Sequence, residues 1–445
     1  MRLLIVLLCW VYSVMLCAQP ASPFLFRNIT ITDGLSQNSV ISSATDATGF
    51  MWFATQDGLN RFDGKEFVVF KKSFDDVTTA THSRLGKIIS YSNDELWMIT
   101  TNGQLESLNL LDYSIKRVEK IPGTDFTIPG LKSILVDKKG NIWLGTEQEG
   151  VVFFERSSKR IMHFNHSSAS INNMYEDAHG NIWAATQDDI LFFNTNTFSQ
   201  KDYYAVGKQA KISFSTIVED RYGNMWAGSY GKGLYVKQKT DSIFLLFKGM
   251  RNFAVLSQDL VIESLLADKE GRLWMGTYGK GLLVHSIADS STQQFLNDKS
   301  NGYSIGFNDI LDIYEDRQGG IWLGTDGGGV SYYNKQLNNF NLLANANVPE
   351  NVSIAPVRSI TTDKNGVIWL GTSSKGITSI NINNKKYSSH YLLPYSNTVS
   401  NPNRVVSLLA DEDDLWIGTQ GNGLILLDTK TKKNIKWFYP QPKAH

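Results

Sequence analysis

Nine tryptophans recur in one local phrase: Trp52, Trp97, Trp143, Trp183, Trp226, Trp274, Trp322, Trp369 and Trp416, spaced 45, 46, 40, 43, 48, 48, 47 and 47 residues apart. Three copies are close to verbatim: "KKGNIWLGTEQEG" (Lys138–Gly150), "KEGRLWMGTYGKG" (Lys269–Gly281) and "KNGVIWLGTSSKG" (Lys364–Gly376). A period of this length over most of a chain means one small unit is repeated, and that neighbouring units bury each other's apolar faces.

Each unit reads as four short strands. Around Trp143 they are "LKSILVD", "NIWLGT", "GVVFFE" and "RIMHFN", separated by turn residues, with no helical spacing. The second run is apolar on both faces, so both faces must be covered. No unit carries the polar outer face that would cap a linear stack. The expected fold is therefore an all-β β-propeller of four-stranded antiparallel blades. Nine units exceed a comfortable single ring. The expected organisation is a seven-bladed propeller over 24–345 and the first two blades of a second, incomplete propeller over 346–445, with the boundary in Leu342–Pro356. The run "FLFRNITIT" (Phe24–Thr32) is left over, and is expected to return as the outer strand of the ring's last blade.

The repeated residues read as architecture. Gly140, Gly180, Gly223, Gly271 and Gly366 stand where a turn needs positive φ, and Asp137, Asp177, Asp220, Asp268 and Asp363 can bond turn amides. Gly145, Gly228, Gly276, Gly324, Gly371 and Gly418, two after the tryptophan, leave room for a close neighbour. Among the units that depart, Ile99 and Ala185 replace that glycine.

Composition narrows the function. Lys+Arg and Asp+Glu are equal at 43, without the basic excess of a nucleic-acid binder. Residues 1–18 read as a signal peptide: Arg2, the apolar run Leu3–Leu16 and cleavage after Ala18. Both cysteines, Cys9 and Cys17, fall inside it, so the exported part has no disulfide or thiolate site. No later segment is apolar enough to span a membrane.

Motifs for catalysis or cofactors are missing: no His-Glu-x-x-His, no Gly-x-Ser-x-Gly and no phosphate-binding loop. The histidines, including His163, His166 and His285, have no metal-pair spacing, and Asp411–Asp414 reads as a solvated turn. We expect no cofactor, no metal and no catalytic residue. The candidate ligand-binding residues are Tyr230, Lys232, Tyr278, Lys280 and Asp326, on loops that repeat in position ("YGKG", "YGKG", "DGGG") and converge at one mouth of a ring. A tyrosine beside a cation suits a sugar carrying a carboxylate or sulfate.

The stretch "DGLSQNSVISSATDATGFMWFATQDGLNRFDGKEFVVF" (Asp33–Phe70), with "GLS-x-N" and the serial "G-x-IW-x-GT", closely resembles the two-component regulator propeller repeat. That repeat builds the periplasmic sensor region of Bacteroidetes hybrid two-component system histidine kinases, and the resemblance covers about Phe24 to Pro440. It implies two seven-bladed propellers, a β-sandwich, one membrane helix, then kinase, receiver and DNA-binding domains. The implied function is phosphorelay signalling in response to glycan-derived oligosaccharides, by a homodimer anchored in the inner membrane. This chain is read as a truncated piece of such a sensor, without the kinase, and so not itself an enzyme and without nucleic-acid contacts. The rival readings are a secreted propeller enzyme, such as a polysaccharide or lactone lyase, and a protein-interaction scaffold.

Overall fold

The computed structural model describes residues 24–70, 85–165, 170–205, 211–249, 259–299 and 301–336, and, further on, 356–381, 386–392 and 403–438 with a few isolated positions. The expected signal peptide, most of the expected domain boundary and His166 lie outside the described residues.

Among the described residues there are nine four-stranded antiparallel sheets, as the repeat requires. The chain divides into two compact units, Met1–Asn339 and Phe340–His445. Seven sheets, blades 1 to 7, form the first unit and two, blades 8 and 9, the second. The inner strands of the first unit are Val40–Thr45, Leu85–Ser90, Leu131–Val136, Ile171–Glu176, Phe214–Glu219, Ile262–Ala267 and Ile310–Glu315. Each packs on the next, and the last packs on the first, so the seven blades close into a ring.

The spare N-terminal strand makes the closure. Phe26–Ile29 pairs antiparallel with Val330–Tyr333 and completes blade 7 from outside. Phe26 is buried, and Phe24 reaches Tyr333 (4.8 Å between centroids), Phe295 (4.9 Å) and Trp274 of blade 6 (5.6 Å). The "GLS-x-N" motif is the clasp behind it. Asn38 Oδ1 accepts from the Ile31 amide (2.9 Å), and the Asn38 carbonyl accepts from the Gly327 and Gly329 amides of blade 7 (3.0 and 2.8 Å). Ser36 lies between Thr55 and Asn60 of blade 1.

Blade-to-blade packing rests on the tryptophan and the aspartate six residues before it. Asp137 Oδ1 takes the amides of Lys139 and Asn141 (3.0 and 2.8 Å), while Oδ2 accepts from the Trp143 indole (3.1 Å). The indole contact recurs at Trp52, Trp183, Trp226, Trp274, Trp322 and Trp369, at 2.7–3.0 Å. One carboxylate thus shapes the turn and satisfies the only polar atom of a ring buried against the next blade. Trp143 packs with Ile171, Ile182 and Phe193 of blade 4, and Trp322 with Val40 and Phe53 of blade 1. Trp97 lacks that aspartate; its indole donates to Glu95 (3.2 Å) and Tyr91 stacks on it at 3.6 Å.

The glycine two after the tryptophan faces the first residue of the next inner strand. A Cβ at Gly145, Gly228 or Gly276 would sit 2.6–2.8 Å from Cγ2 of Ile171, Ile262 or Ile310, and one at Gly371 would sit 2.5 Å from Cγ1 of Val405. At Gly324 it would meet the carbonyl of Val40 at 2.7 Å. Every one of these neighbours is β-branched. The departures follow the same rule from the other side: Ile99 shares a cluster with Leu131, and Ala185 with Phe214, neither of them branched at Cβ. Glycine therefore accompanies a branched partner, and a larger residue accompanies an unbranched one.

In the second unit, the strands Val357–Thr362 and Val405–Asp411 are the inner strands. Val405 is buried, as are Ile171, Ile262 and Ile310 in the ring. Val357, at the same register position in blade 8, is 47% exposed, and Ile360 is 65% exposed. On blade 9, Leu409 is 62% exposed.

Candidate functional site

The five residues picked from the sequence lie on the loops joining the second and third strands of blades 5, 6 and 7. The hydroxyl at the end of each second strand shapes the loop. Ser229 Oγ donates to the Gly233 carbonyl (2.7 Å), Thr277 Oγ1 to Gly281 (2.6 Å) and Thr325 Oγ1 to Gly329 (2.9 Å). The loops then hook onto the chain entering the next inner strand. The Gly231 and Gly233 amides both donate to the Leu260 carbonyl (3.2 Å), and the Gly281 amide donates to Asn308 (2.9 Å).

This hooking brings Tyr230 and Tyr278 together. Tyr230 forms an isolated antiparallel bridge with Val261, and the Tyr278 amide donates to the Val261 carbonyl (3.1 Å). The two tyrosines flank one stretch of backbone, 46% and 58% exposed. Lys232 and Lys280 stand exposed in the middle of their loops, and neither is in an ion pair with any described residue.

Asp326 is placed differently from the others. One carboxylate oxygen accepts from Ser39 Oγ at 2.6 Å, and the two residues form a β-bridge. This carboxylate latches blade 7 to blade 1 and is already engaged.

A carboxyl group that acts on Tyr230 is that of Glu263, which the sequence reading did not select. In every blade the ladder between the first and second strands breaks register after the first pair, and in every blade except blade 2 the break skips a single residue of the first strand. In blade 6 the break lies between Ile262 and Ser264, so Glu263 is the extra residue of a β-bulge. A bulge re-aims a side chain. At the same place in blades 4 and 5, Asn172 and Ser215 donate to carbonyls of the following blade, Phe214 and Ile262. An ionised carboxylate has no proton to donate there.

Burial, and then the nearby Asp309 carboxylate, hold the Glu263 carboxyl above its ordinary range. Burial, and then Glu263, push the Tyr230 phenol up. Asp309 in turn accepts from the Gly279 amide, next to Tyr278. Further along the same strand of blade 7, the half-buried Asp312 accepts from the Ser43 amide (2.7 Å); desolvation raises its carboxyl, opposed by Lys87. The mouth at blades 5 to 7 therefore carries two exposed aromatic rings, the carboxyl groups of Glu263 and Asp309, and the exposed Lys232 and Lys280 on the same loops as the rings. Such a surface offers ring faces for stacking and acceptors for hydroxyls.

No group of three or more His, Cys, Asp or Glu suited to a metal ion occurs among the described residues. His285 is buried, shares a hydrogen bond with Thr292 (2.9 Å) and is driven towards its neutral form by burial. Two clefts, of about 480 and 360 Å³, lie on either side of Arg317 and Gln318, at the opposite end of the blade 7 strands from the tyrosines. No described helix is long and apolar enough to cross a membrane.

Comparison with known proteins agrees with the fold. The family description "Two component regulator propeller" matches residues 130–148, 165–188, 256–279, 304–327 and 351–374, the Trp-bearing halves of blades 3, 4, 6, 7 and 8. Over 58 residues, 13% of this chain and 4% of the relative, the sequence is 45% identical to Histidine kinase P4 of Formosa agariphila. The extracellular domain of the putative hybrid two component system BT3049 from B. thetaiotaomicron matches with a TM-score of 0.62 at 22% identity, covering 94% of this chain and 55% of that one. That of the putative hybrid two component system BT4673 matches at 0.57 and 20%, covering 93% and 53%. The chain thus spans about half the length of these structures, and the likeness to them is one of fold. Together with the repeated tryptophan phrase, the matches make this chain a β-propeller protein in which blades 3, 4, 6, 7 and 8 carry stretches that match the two-component regulator propeller repeat.

Proposed function

We propose that the chain is the extracytoplasmic ligand-sensing portion of a two-component sensor histidine kinase. In this reading it detects a glycan-derived oligosaccharide and passes the signal to kinase domains carried elsewhere in the full protein. The observation that carries the ligand is the paired shelf of Tyr230 and Tyr278 with Glu263 and Asp309 beside it. Aromatic faces stack on the apolar faces of pyranose rings, and carboxyl groups accept from their hydroxyls. Carboxylates repel a sulfated or uronic sugar, so the ligand here is a neutral oligosaccharide.

The organisation fits that role. In this reading blades 1 to 7 are the complete ring and blades 8 and 9 open a second. Val357 and Ile360 on one side, and Leu409 on the other, supply the contacts that a further blade on each side would bury. Residues 1–18 direct export, which places the propellers in the periplasm. A ligand that binds one arrangement of a homodimer better than another shifts the population towards it, and the membrane-anchored full-length protein carries that shift inward.

The test is calorimetric titration of the chain with a panel of neutral oligosaccharides, each mixture then chromatographed for products. Saturable binding without new products supports sensing. Turnover would make the chain a secreted lyase, and no binding across the panel would leave a protein-interaction scaffold.

A further inference from the structure

A second site, independent of the tyrosine shelf, lies between blades 8 and 9. The residue opposite the tryptophan on the third strand faces the following blade, and is met there by the left-handed residue of that blade's last turn. In blades 3 and 4 the pair is Phe153 and Phe198, 5.4 Å apart. In blades 1 and 2 it is Arg61 and Tyr113, joined by a hydrogen bond. In blades 8 and 9 it is Ser379 and Lys432: Lys432, at φ 59°, donates from Nζ to Ser379 Oγ at 2.9 Å.

That pair replaces an apolar contact with a cation. Lys432 Nζ lies 5.9 Å from the Trp369 ring centroid, and the His390 ring lies 6.0 Å from it, with Nε2 3.4 Å from Ser379 Oγ. Lys386 stands exposed on the outer strand of blade 8 that also carries His390. Several other lysines find acids: Lys364 and Lys430 meet Asp413, Lys335 meets Glu270, and Lys211 meets Asp188. Neither Lys386 nor Lys432 is in an ion pair with any described residue. Burial, and then Lys386, lowers the Lys432 ammonium; burial, and then Lys432, brings His390 down to about 4. These groups repel each other and lose water without a counter-charge, a cost that a bound anion removes.

We propose that this cluster of cationic and polar side chains binds a small oxyanion group (sulfate, phosphate or carboxylate) between the ammonium groups of Lys432 and Lys386, with Ser379 holding Lys432 over Trp369. An anion there forms charge-assisted hydrogen bonds with the two Lys432 N–H groups not given to Ser379. Its source is either a free inorganic ion or the acidic residue of a longer sugar.

The test titrates the full chain at low ionic strength with sodium sulfate, inorganic phosphate and glucuronate, by calorimetry. Saturable binding is expected, weakened about tenfold or more by Lys432→Met, which removes the charge-assisted bonds that the ammonium gives the anion. Lys386→Met, at an exposed position that the fold does not need, is expected to weaken it several-fold, and Tyr278→Ala to leave it unchanged. Equal affinity for all three probes marks a bare oxyanion site, and preference for glucuronate assigns it to an acidic sugar. As a second readout, the bound anion is expected to raise the His390 pKa from about 4 in an NMR titration. No saturable binding of any probe, or binding unchanged in both lysine variants, would overturn the proposal.

Discussion

The interblade glycines allow a direct comparison of two chemically identical substitutions. In Gly276→Ala the new methyl meets Ser264 Oγ at 2.4 Å, Ile310 Cγ2 at 2.8 Å and the Ile310 carbonyl oxygen at 2.9 Å. The serine can turn away, but the carbonyl belongs to the inner strand of blade 7. Relief therefore needs two packed blades to separate by several tenths of an ångström. Overpacking of this kind costs about 1–3 kcal/mol. In Gly418→Ala the nearest atom is again a serine hydroxyl, Ser407 Oγ at 2.2 Å, while the next, Ser407 Cβ and its carbonyl, lie at 3.6 and 3.8 Å. Rotation of one hydroxyl between staggered wells relieves that contact for about 1 kcal/mol or less. Differential scanning calorimetry of the two variants is expected to lower the transition of the first unit by a few degrees for Gly276→Ala. Gly418→Ala is expected to leave both transitions almost unmoved. Adding Ile310→Leu to Gly276→Ala imitates the natural Ile99 with Leu131 pairing, and is expected to recover part of the loss as a favourable coupling of at least about 0.5 kcal/mol. Equal losses for the two alanines, or an additive double variant, would refute the account of why glycine stands there.

Three further outcomes follow from the closure, the channel and the open faces. Phe26→Ala empties a buried aromatic site at the ring's latch, and is expected to cost about 3–5 kcal/mol and to speed proteolysis of blade 7, measured by limited digestion. Asp312 has its carboxyl raised by burial, so its contribution to stability is fully present below the unfolded-state pKa and lost as pH rises through the folded one. The melting temperature of Asp312→Asn is accordingly expected to gain on the parent as the pH rises above about 4; a constant difference would contradict this. Exchange of Ile360 and Leu409 for threonine is expected to reduce self-association in sedimentation velocity without shifting the first unit's melt.

The architecture was legible because its determinants are local. A tryptophan, its aspartate and the turn glycines sit within one phrase, and the spare strand Phe24–Thr32 announced its own use. What stayed hidden depends on partners far along the chain. The reason for Ile99 and Ala185 is the first residue of the following blade, Leu131 or Phe214, and pairing each with its neighbour needs the ring. Asp326 looked free because the hydroxyl that occupies it, Ser39, is 287 residues away. Glu263 was passed over because its direction is set by a register break after Ile262, which appears only when the strands are paired.

The central claim is that Tyr230, Tyr278 and Glu263 bind a neutral sugar without turning it over. The most direct measurement compares one neutral oligosaccharide with its sulfated form, by calorimetry, on the parent chain and on Tyr278→Ala. The account predicts saturable binding of the neutral form, weakened about tenfold or more by Tyr278→Ala, with no new product. Preference for the sulfated form that survives Lys432→Met but is lost in Tyr278→Ala would contradict it, as would any turnover.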